Sequence, residues 1–352
     1  MSSRATVAGR ASDLSRHMWR ERSEARPRGM SELVMVEQRT GADGGPDTSS
    51  VWIREGDVRL PGRDSDARLA ALRLGLRRHF GVRSVDAVAG DEEVERALAA
   101  LHAPGHLAAL EAAGPEPTVM PHLAPPGLEP DIPVSAALVA AAREAVRTAL
   151  SAAGRLLAGD RYAYAVCRPP GHHAGPDFIG GYCYLNNAAA AVQALREGGL
   201  APVGVLDLDL HYPNGTAELV ERMGDEATLH SLHAAPVTNV AAGTELPRAP
   251  RERAHAFAAA PDPVAYLAEV EASLAELTAD SAALVVSLGY DTVAGDPHGS
   301  WHFGPEVFAG IGRLLAATEL PVCVVQEGGY SLDALVPCSH AFAAGLLGED
   351  PV

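Results

Sequence analysis

With 352 residues, 47% of them hydrophobic, the chain has ample apolar material for a core, and wholesale disorder is excluded. A formal charge of −17 argues against nucleic acid or an anionic membrane surface as partner and favours a cationic ligand. Four dispersed cysteines without a CxxC pair fit a reducing compartment, and no apolar run has the length of a membrane span or the form of a secretory leader. A cytoplasmic location is therefore expected.

In chain order, residues 1–30 are rich in Arg, Ser and Glu without an apolar period and read as a mobile or partner-docked extension. Residues 31–352 read as one domain, since large α/β folds commonly hold that length in a single unit. Ser31 to Glu37 is a first strand and Gly41 to Ser50 a polar loop. Asp64 to Phe80, with Leu69, Leu72 and Leu76 at helical spacing, is a helix. Short helices follow at Glu92–Leu101 and Gly105–Ala113, then a Pro-rich loop at Thr118–Pro130. A long Ala-rich helix covers Pro133–Leu157, with Ser135 as its N-cap. From there strands and helices alternate. Strands are expected at Tyr162–Cys167, Val203–Leu208, Thr228–Leu232, Ala282–Leu288 and Val322–Gln326. Helices are expected at Tyr184–Glu197, Pro263–Thr278, Pro305–Ala317 and Leu332–Leu347. That alternation implies a parallel sheet covered on both faces.

The chemistry gathers just past the strand ends, where open α/β sheets bind their ligands. Arg168-Pro169-Pro170-Gly171-His172-His173-Ala174-Gly175 follows one strand, and Asp207-Leu208-Asp209-Leu210-His211 another. Asp209 and His211 lie two apart, so on an extended segment they face the same way. Asp291, in Ser287-Leu288-Gly289-Tyr290-Asp291, is the best third oxygen ligand because it follows a further apolar strand. An isolated Asp-x-Asp more often caps a turn, but a third Asp at an equivalent strand end tips the reading to a metal site. One His and two Asp suit zinc or ferrous iron rather than magnesium. The Pro-Pro-Gly before His172 and His173 stiffens a close approach, and Tyr330, after Gly328-Gly329, offers a phenol donor from a turn.

These motifs, together with Gly180-Gly181-Tyr182-Cys183-Tyr184 and Gln326-Glu327-Gly328-Gly329-Tyr330, resemble the histone deacetylase superfamily. Within it they are most similar to bacterial acetylpolyamine amidohydrolases and class II deacetylases. The resemblance covers roughly residues 55–348 and implies a three-layer arginase/deacetylase-like α/β fold with a central, mostly parallel eight-stranded sheet. It also implies one catalytic zinc, structural potassium, and hydrolysis of acetyl amides of primary amines. By position, Asp209, His211 and Asp291 would ligate zinc, His172 and His173 would be the tandem histidines, and Tyr330 would hydrogen-bond the oxyanion. Asp207 would orient His172 and help hold potassium with Ser231 and Leu232, Asn214 would stand behind His173, and Gly181 and Tyr182 would line the substrate tunnel. Tyr212 and Pro213 depart from the family pattern, as does the non-aromatic stretch Val240-Ala241-Ala242-Gly243-Thr244 where a second tunnel wall is expected. His298 falls at an apolar rim position, and Leu246–Pro263 is compressed.

The leading functional expectation is a zinc amidohydrolase acting on a small acetylated amine or polyamine. A protein acetyl-lysine deacetylase shares the chemistry and differs at the rim, and a non-catalytic binding relative is disfavoured by the intact residue set. An arginase-like dinuclear manganese site would need further Asp and His ligands, for which the sequence offers no candidates. Homo-oligomerisation is left open.

Overall fold

A computed structural model describes residues 13, 15–21, 23, 33–38, 52–55, 58–79, 81–237 and 252–349. Eight strands form one sheet: β1 (Leu33–Glu37), β4 (Val82–Asp86), β5 (Tyr162–Val166), β6 (Val203–Asp207), β7 (Ala227–Ala234), β8 (Glu252–Phe257), β9 (Ala283–Leu288) and β10 (Val322–Gln326). Their spatial order is β4-β1-β5-β10-β9-β6-β7-β8, and every pairing is parallel. A separate antiparallel hairpin joins β2 (Trp52–Glu55) to β3 (Val58–Pro61).

The four central strands β5, β10, β9 and β6 are buried at every residue, so they carry no polar face and read as continuous apolar runs. Successive side chains still point to opposite faces. On one face Val34, Ala163, Val205, Val285 and Val325 pack against α2 (Asp91–Leu101), α3 (Pro104–Glu111), α4 (Ala136–Leu157), α5 (Asn187–Glu197) and α6 (Asn214–Met223). On the other, Met35, Tyr164, Val286 and Val324 meet α1 (Asp66–Arg77), α7 (Pro263–Asp280), α8 (Pro305–Ala317) and α9 (Leu332–Leu346). This is the three-layer α/β architecture, with one core on each side of the sheet.

Local signals explain the helix starts. The Ser135 side chain accepts from Leu138 N, as expected of an N-cap, and Asn186 accepts from Ala189 N at the head of α5, shortening that helix relative to a start at Tyr184. Pro263 opens α7, where Asp262 accepts from Val264 N and Ala265 N. The sequence reading did not anticipate the hairpin, α6, β4 or β8. The last occupies the compressed Leu246–Pro263 segment. The loop at Gly41–Ser50 and the stretch Val240–Thr244 lie outside the described residues.

Part of the amino-terminal extension lies against the body of the protein. Residues 15–21 are helical, Ser15 Oγ donates to Ala201 O, and Arg16 donates to Thr278 O and Ser281 O at the end of α7, a favourable place for a cation. Trp19 is buried and its indole N–H donates to Leu156 O at 3.1 Å. All these partners precede the amino ends of sheet strands. No helix among the described residues is long and apolar enough to cross a membrane.

A candidate metal centre at the carboxyl ends of four central strands

Because β5, β10, β9 and β6 are neighbours and parallel, the segments that leave their carboxyl ends emerge together. They are the stretches that carry His172 and His173, Glu327 to Tyr330, Asp291, and Asp207 to His211. Four motifs far apart in sequence therefore become one site.

Asp209, His211 and Asp291 offer ligand atoms that lie within 4.8 Å of one another. His211 Nδ1 stands 3.2 Å from Asp209 Oδ1 and 3.0 Å from Asp291 Oδ2, with both carboxylates buried. Donor atoms about 2.0–2.2 Å from one tetrahedral ion would be roughly 3.3–3.6 Å apart, so these residues fit a zinc-sized cation with small adjustment. Burial and the neighbouring Asp209 charge push the Asp291 carboxyl up to about 7, the behaviour of two carboxylates placed to share a cation. Gly328 N donates to Asp209 Oδ2 at 2.8 Å and Leu210 N to Asp291 Oδ1 at 3.1 Å, which orients both acids.

A second group, His172, Cys183 and Glu327, is also close enough to meet one ion. Its donors are already committed. Glu327 Oε2 accepts from Gly171 N and His172 N, and Oε1 accepts from Ser287 Oγ. Burial pushes the Cys183 thiol well up, which disfavours the thiolate a metal needs. The Asp209, His211 and Asp291 set is the better metal site.

The tandem histidines face different partners. His172 Nδ1 is 3.3 Å from Asp207 Oδ2, and its Nε2 is 3.6 Å from Asp209 Oδ1. Burial works against its charge, but the Asp209 and Asp207 carboxylates outweigh it and push His172 up to about 10. His173 Nδ1 is 2.9 Å from Asn214 Oδ1, an oxygen that can only accept, so Nδ1 carries the proton and the neutral ring keeps a lone pair on Nε2. Burial, then His172 and His211, hold His173 well below its ordinary value. The loop that carries both is anchored by α5 and α6: Asn187 Nδ2 donates to Pro169 O, Asn186 Nδ2 to Ala174 O and Thr216 N to His172 O.

Gly180 and Cys183 exchange backbone hydrogen bonds around Gly181 (φ 55°) and Tyr182 (φ 67°), a turn that needs left-handed conformations at both central residues. A Cβ on Gly181 would sit 2.3 Å from His173 Cδ2, so this turn closes directly over that ring. Tyr182 OH accepts from Arg63 N and meets His298 Nε2 at 3.2 Å. The Tyr330 ring completes the cluster, 5.5 Å from the Tyr182 ring and 4.9 Å from His298. Asp207 and Ser231 are register partners across β6 and β7, and Leu232 is fully buried. Ser231 Oγ meets His233 Nδ1 at 2.9 Å, and the geometry adds no further support for potassium.

Sequence reasoning passed over four groups that brace the site, three of them buried and Asp131 half-buried. Arg68 lies under the Tyr330 ring, 4.5 Å from its centroid, and donates to Gly329 O and Glu327 O at 2.6 Å each. Burial opposes its charge, but Asp64 and its other acidic neighbours more than compensate. Its signal was a charge next to Leu69 on the apolar stripe of α1. Glu327 stood inside a quoted motif without a role. Asp131 Oδ2 accepts from Gly181 N at 2.7 Å, and burial pushes its carboxyl up to about 6. The Pro-rich loop that supplies it carries no pattern that singles it out. Asp296, beside His298, is the fourth.

The sequence profile of the histone deacetylase domain matches residues 63–346. The chain belongs to the histone deacetylase family. Among curated relatives of this family member, the acetylpolyamine amidohydrolase of Burkholderia pseudomallei (strain 1710b) is 39% identical over 214 residues, 58% of this chain and 62% of the relative. Histone deacetylase 8 of Arabidopsis thaliana is 33% identical over 233 residues, 59% of each. The matched part thus spans about three fifths of these relatives' length. A crystal structure of acetylpolyamine aminohydrolase from Burkholderia pseudomallei superposes with a TM-score of 0.73 at 28% identity, covering 89% of this chain and 98% of that one. A crystal structure of the HDA15 HD domain superposes at 0.71 and 22% identity, covering 91% and 89%, a likeness of fold.

Proposed function

We propose that this deacetylase-family chain is a zinc-dependent amidohydrolase that removes an acetyl group from the amine of a small molecule or polyamine. The observation that carries the reading is the convergence of Asp209, His211 and Asp291 next to two differently partnered histidines and the half-buried Tyr330. The first relatives, named acetylpolyamine amidohydrolases in three organisms, support the substrate class.

Asp209, His211 and Asp291 would hold the zinc, or ferrous iron in its place, which supplies Lewis acidity to the acetyl carbonyl and to water. His173, with its proton on Nδ1 directed to Asn214, accepts a proton at Nε2 as the water oxygen bonds to the acetyl carbon. It returns that proton to the nitrogen as the C–N bond breaks, and the second proton of the water passes from the new carboxylic acid to the amine, so acetate and the ammonium form of the amine leave with the ring neutral again. Tyr330 donates its O–H to the oxygen that gains charge, a role whose removal typically costs about 10²–10³ in kcat. His172 keeps its orientation through Asp207. The turn at Gly181 and Tyr182, with His298, forms the rim through which a small acetylated amine passes.

A protein acetyl-lysine deacetylase is the second reading, favoured by the likeness to histone deacetylase 8 of Arabidopsis thaliana. Turnover of acetylated polyamines, small acetylated amines and acetyl-lysine peptides, measured with metal content, separates the two. Small acetylated amines should show the higher kcat/KM, and Asp291→Ala should lose both bound metal and turnover. Faster peptides would favour the second reading, and a fully active, metal-replete Asp291→Ala protein would remove the metal assignment.

A further inference from the structure

Tyr330 sits between the end of β10 at Gln326 and the start of α9 at Leu332, just past the point where pairing with the β9 side ends, at the Tyr290 N to Gly328 O hydrogen bond. Two side chains grip it from opposite sense. Arg68 takes its carbonyls, at Glu327 and Gly329. The amide N–H groups go to Asp296, whose Oδ2 accepts from Tyr330 N at 2.6 Å and from Ser331 N at 3.0 Å. The other carboxylate oxygen, Oδ1, accepts from His298 N at 3.0 Å. Asp296 is buried and is itself pinned in a tight turn, with Gly299 N donating to Asp296 O and Asp296 N to Val293 O. A Cβ on Gly299 would fall 2.9 Å from the Asp296 Cβ and 2.1 Å from Asp291 O. The turn that carries the metal-binding acid therefore also carries Asp296, with no slack between them.

We propose that Asp296 is a positioning residue that locks Tyr330 and His298 into one unit, so that the phenol and the rim hold their places relative to the metal ligand Asp291. The inference rests on the reading of Tyr330 as donor to the developing oxyanion. The chemistry is that of a carboxylate accepting three backbone N–H groups, two of them at the amino end of α9, where negative charge is favoured. No neutral side chain of the same size replaces it. Asparagine keeps one acceptor oxygen and turns the other into a donor, which would face the N–H groups of Tyr330 and Ser331 or that of His298. The consequence is a tyrosine whose ring remains in its aromatic cluster but whose backbone drifts, and small displacements of a positioned group are enough to cost roughly 10²-fold in rate.

The test is a double-mutant cycle on the metal-loaded full chain with a small acetylated amine. Asp296→Asn should lower kcat at least tenfold, change KM by less than about threefold, and retain the parent's metal content and melting temperature within a few degrees. In the Tyr330→Phe background the same change should have almost no further effect on kcat, because the group it positions is already gone. If Asp296→Asn lowers kcat by the same factor in both backgrounds, or leaves kcat unaltered, the inference is overturned while the oxyanion reading stands. If Tyr330→Phe alone keeps the parent's kcat, both fall. Should Asp296→Asn lose metal or melt early, Asp296→Glu decides: rescue of folding without rescue of kcat supports the positioning role, and rescue of both to the parent's level overturns it.

Discussion

A Cβ on Gly328 would stand 2.6 Å from both Asp209 Oδ2 and Asp291 Oδ2, and one on Gly289 would stand 2.3 Å from Asp209 Oδ2. The two glycines are the floor on which the candidate metal ligands rest. Since the neighbouring atoms are the carboxylate oxygens themselves, an added methyl group has to displace the ligands. Gly328→Ala should therefore lower bound metal at least roughly tenfold, as changes around a metal's ligands commonly do, without altering any ligand. Gly90→Ala, where a Cβ meets nothing within 4 Å, is the matched control. Elemental analysis after dialysis reads the outcome, and full metal retention in Gly328→Ala would show that the acids do not bind metal in this arrangement. Legibility differed sharply among site residues. Asp209, His211 and Asp291 could be read because each follows an apolar run at a strand end. Asp131 and Arg68 could not, because their roles depend on segments brought from elsewhere: Asp131 meets Gly181 across 50 residues and Arg68 meets Gly329 across 261.

The two strands of the main sheet missed in the sequence are the ones with no fully buried residue. β4 and β8 are the two edges of the sheet. Their sequences, Val-Arg-Ser-Val-Asp and Glu-Arg-Ala-His-Ala-Phe, mix charges with apolar residues, as edges that must resist further pairing do. Central strands, covered on both faces, announced themselves as apolar runs. At the carboxyl end of α2, His102 shows an element junction that constrains protonation. Its Nδ1 is 2.8 Å from Gly175 O and its Nε2 accepts from Asn186 N, so it ties α2 to the tandem-histidine loop and to the cap of α5 only as the neutral ring. Burial, then His106, push it down to about 3. A folded value depressed below the unfolded 6.5 means that this contribution to stability is fully present above pH 6.5. It is lost as the pH falls from there toward 3, by up to about 1.4 kcal/mol per pH unit. Urea midpoints between pH 7 and 4 should fall less steeply for His102→Gln than for the parent. Parallel curves would mean that His102 is not a source of the acid sensitivity.

At the scale of the molecule, function and docking lie at opposite ends of the sheet. Trp19 and Arg16 meet residues that precede the strands, whereas the candidate metal centre follows them, and a five-residue strand puts roughly 17 Å between the two. Trp19 is 6% exposed and belongs to the core on the α4 face. Trp19→Ala should cost about 3–5 kcal/mol of stability, the usual loss for a buried large aromatic, with kcat/KM on the preferred acetyl amine unchanged. Urea unfolding and steady-state kinetics on the same preparation measure both. A loss of turnover at full folding would mean that the two ends of the sheet are coupled.

The covered parallel sheet, its strand-end motifs and the three metal-binding candidates were legible along the chain, because burial on both faces and strand-end chemistry leave local patterns. The tertiary structure alone decided which strands are neighbours, and with that which motifs meet. It alone supplied the braces: Arg68 and Asp296 on the Tyr330 backbone, Glu327 under the tandem histidines, Asp131 on the Gly181 turn. Each is a single polar residue whose partner is a backbone group of another segment. A backbone N–H or carbonyl is the same at every position, so such a pairing leaves no mark in either stretch of sequence until the fold brings them together.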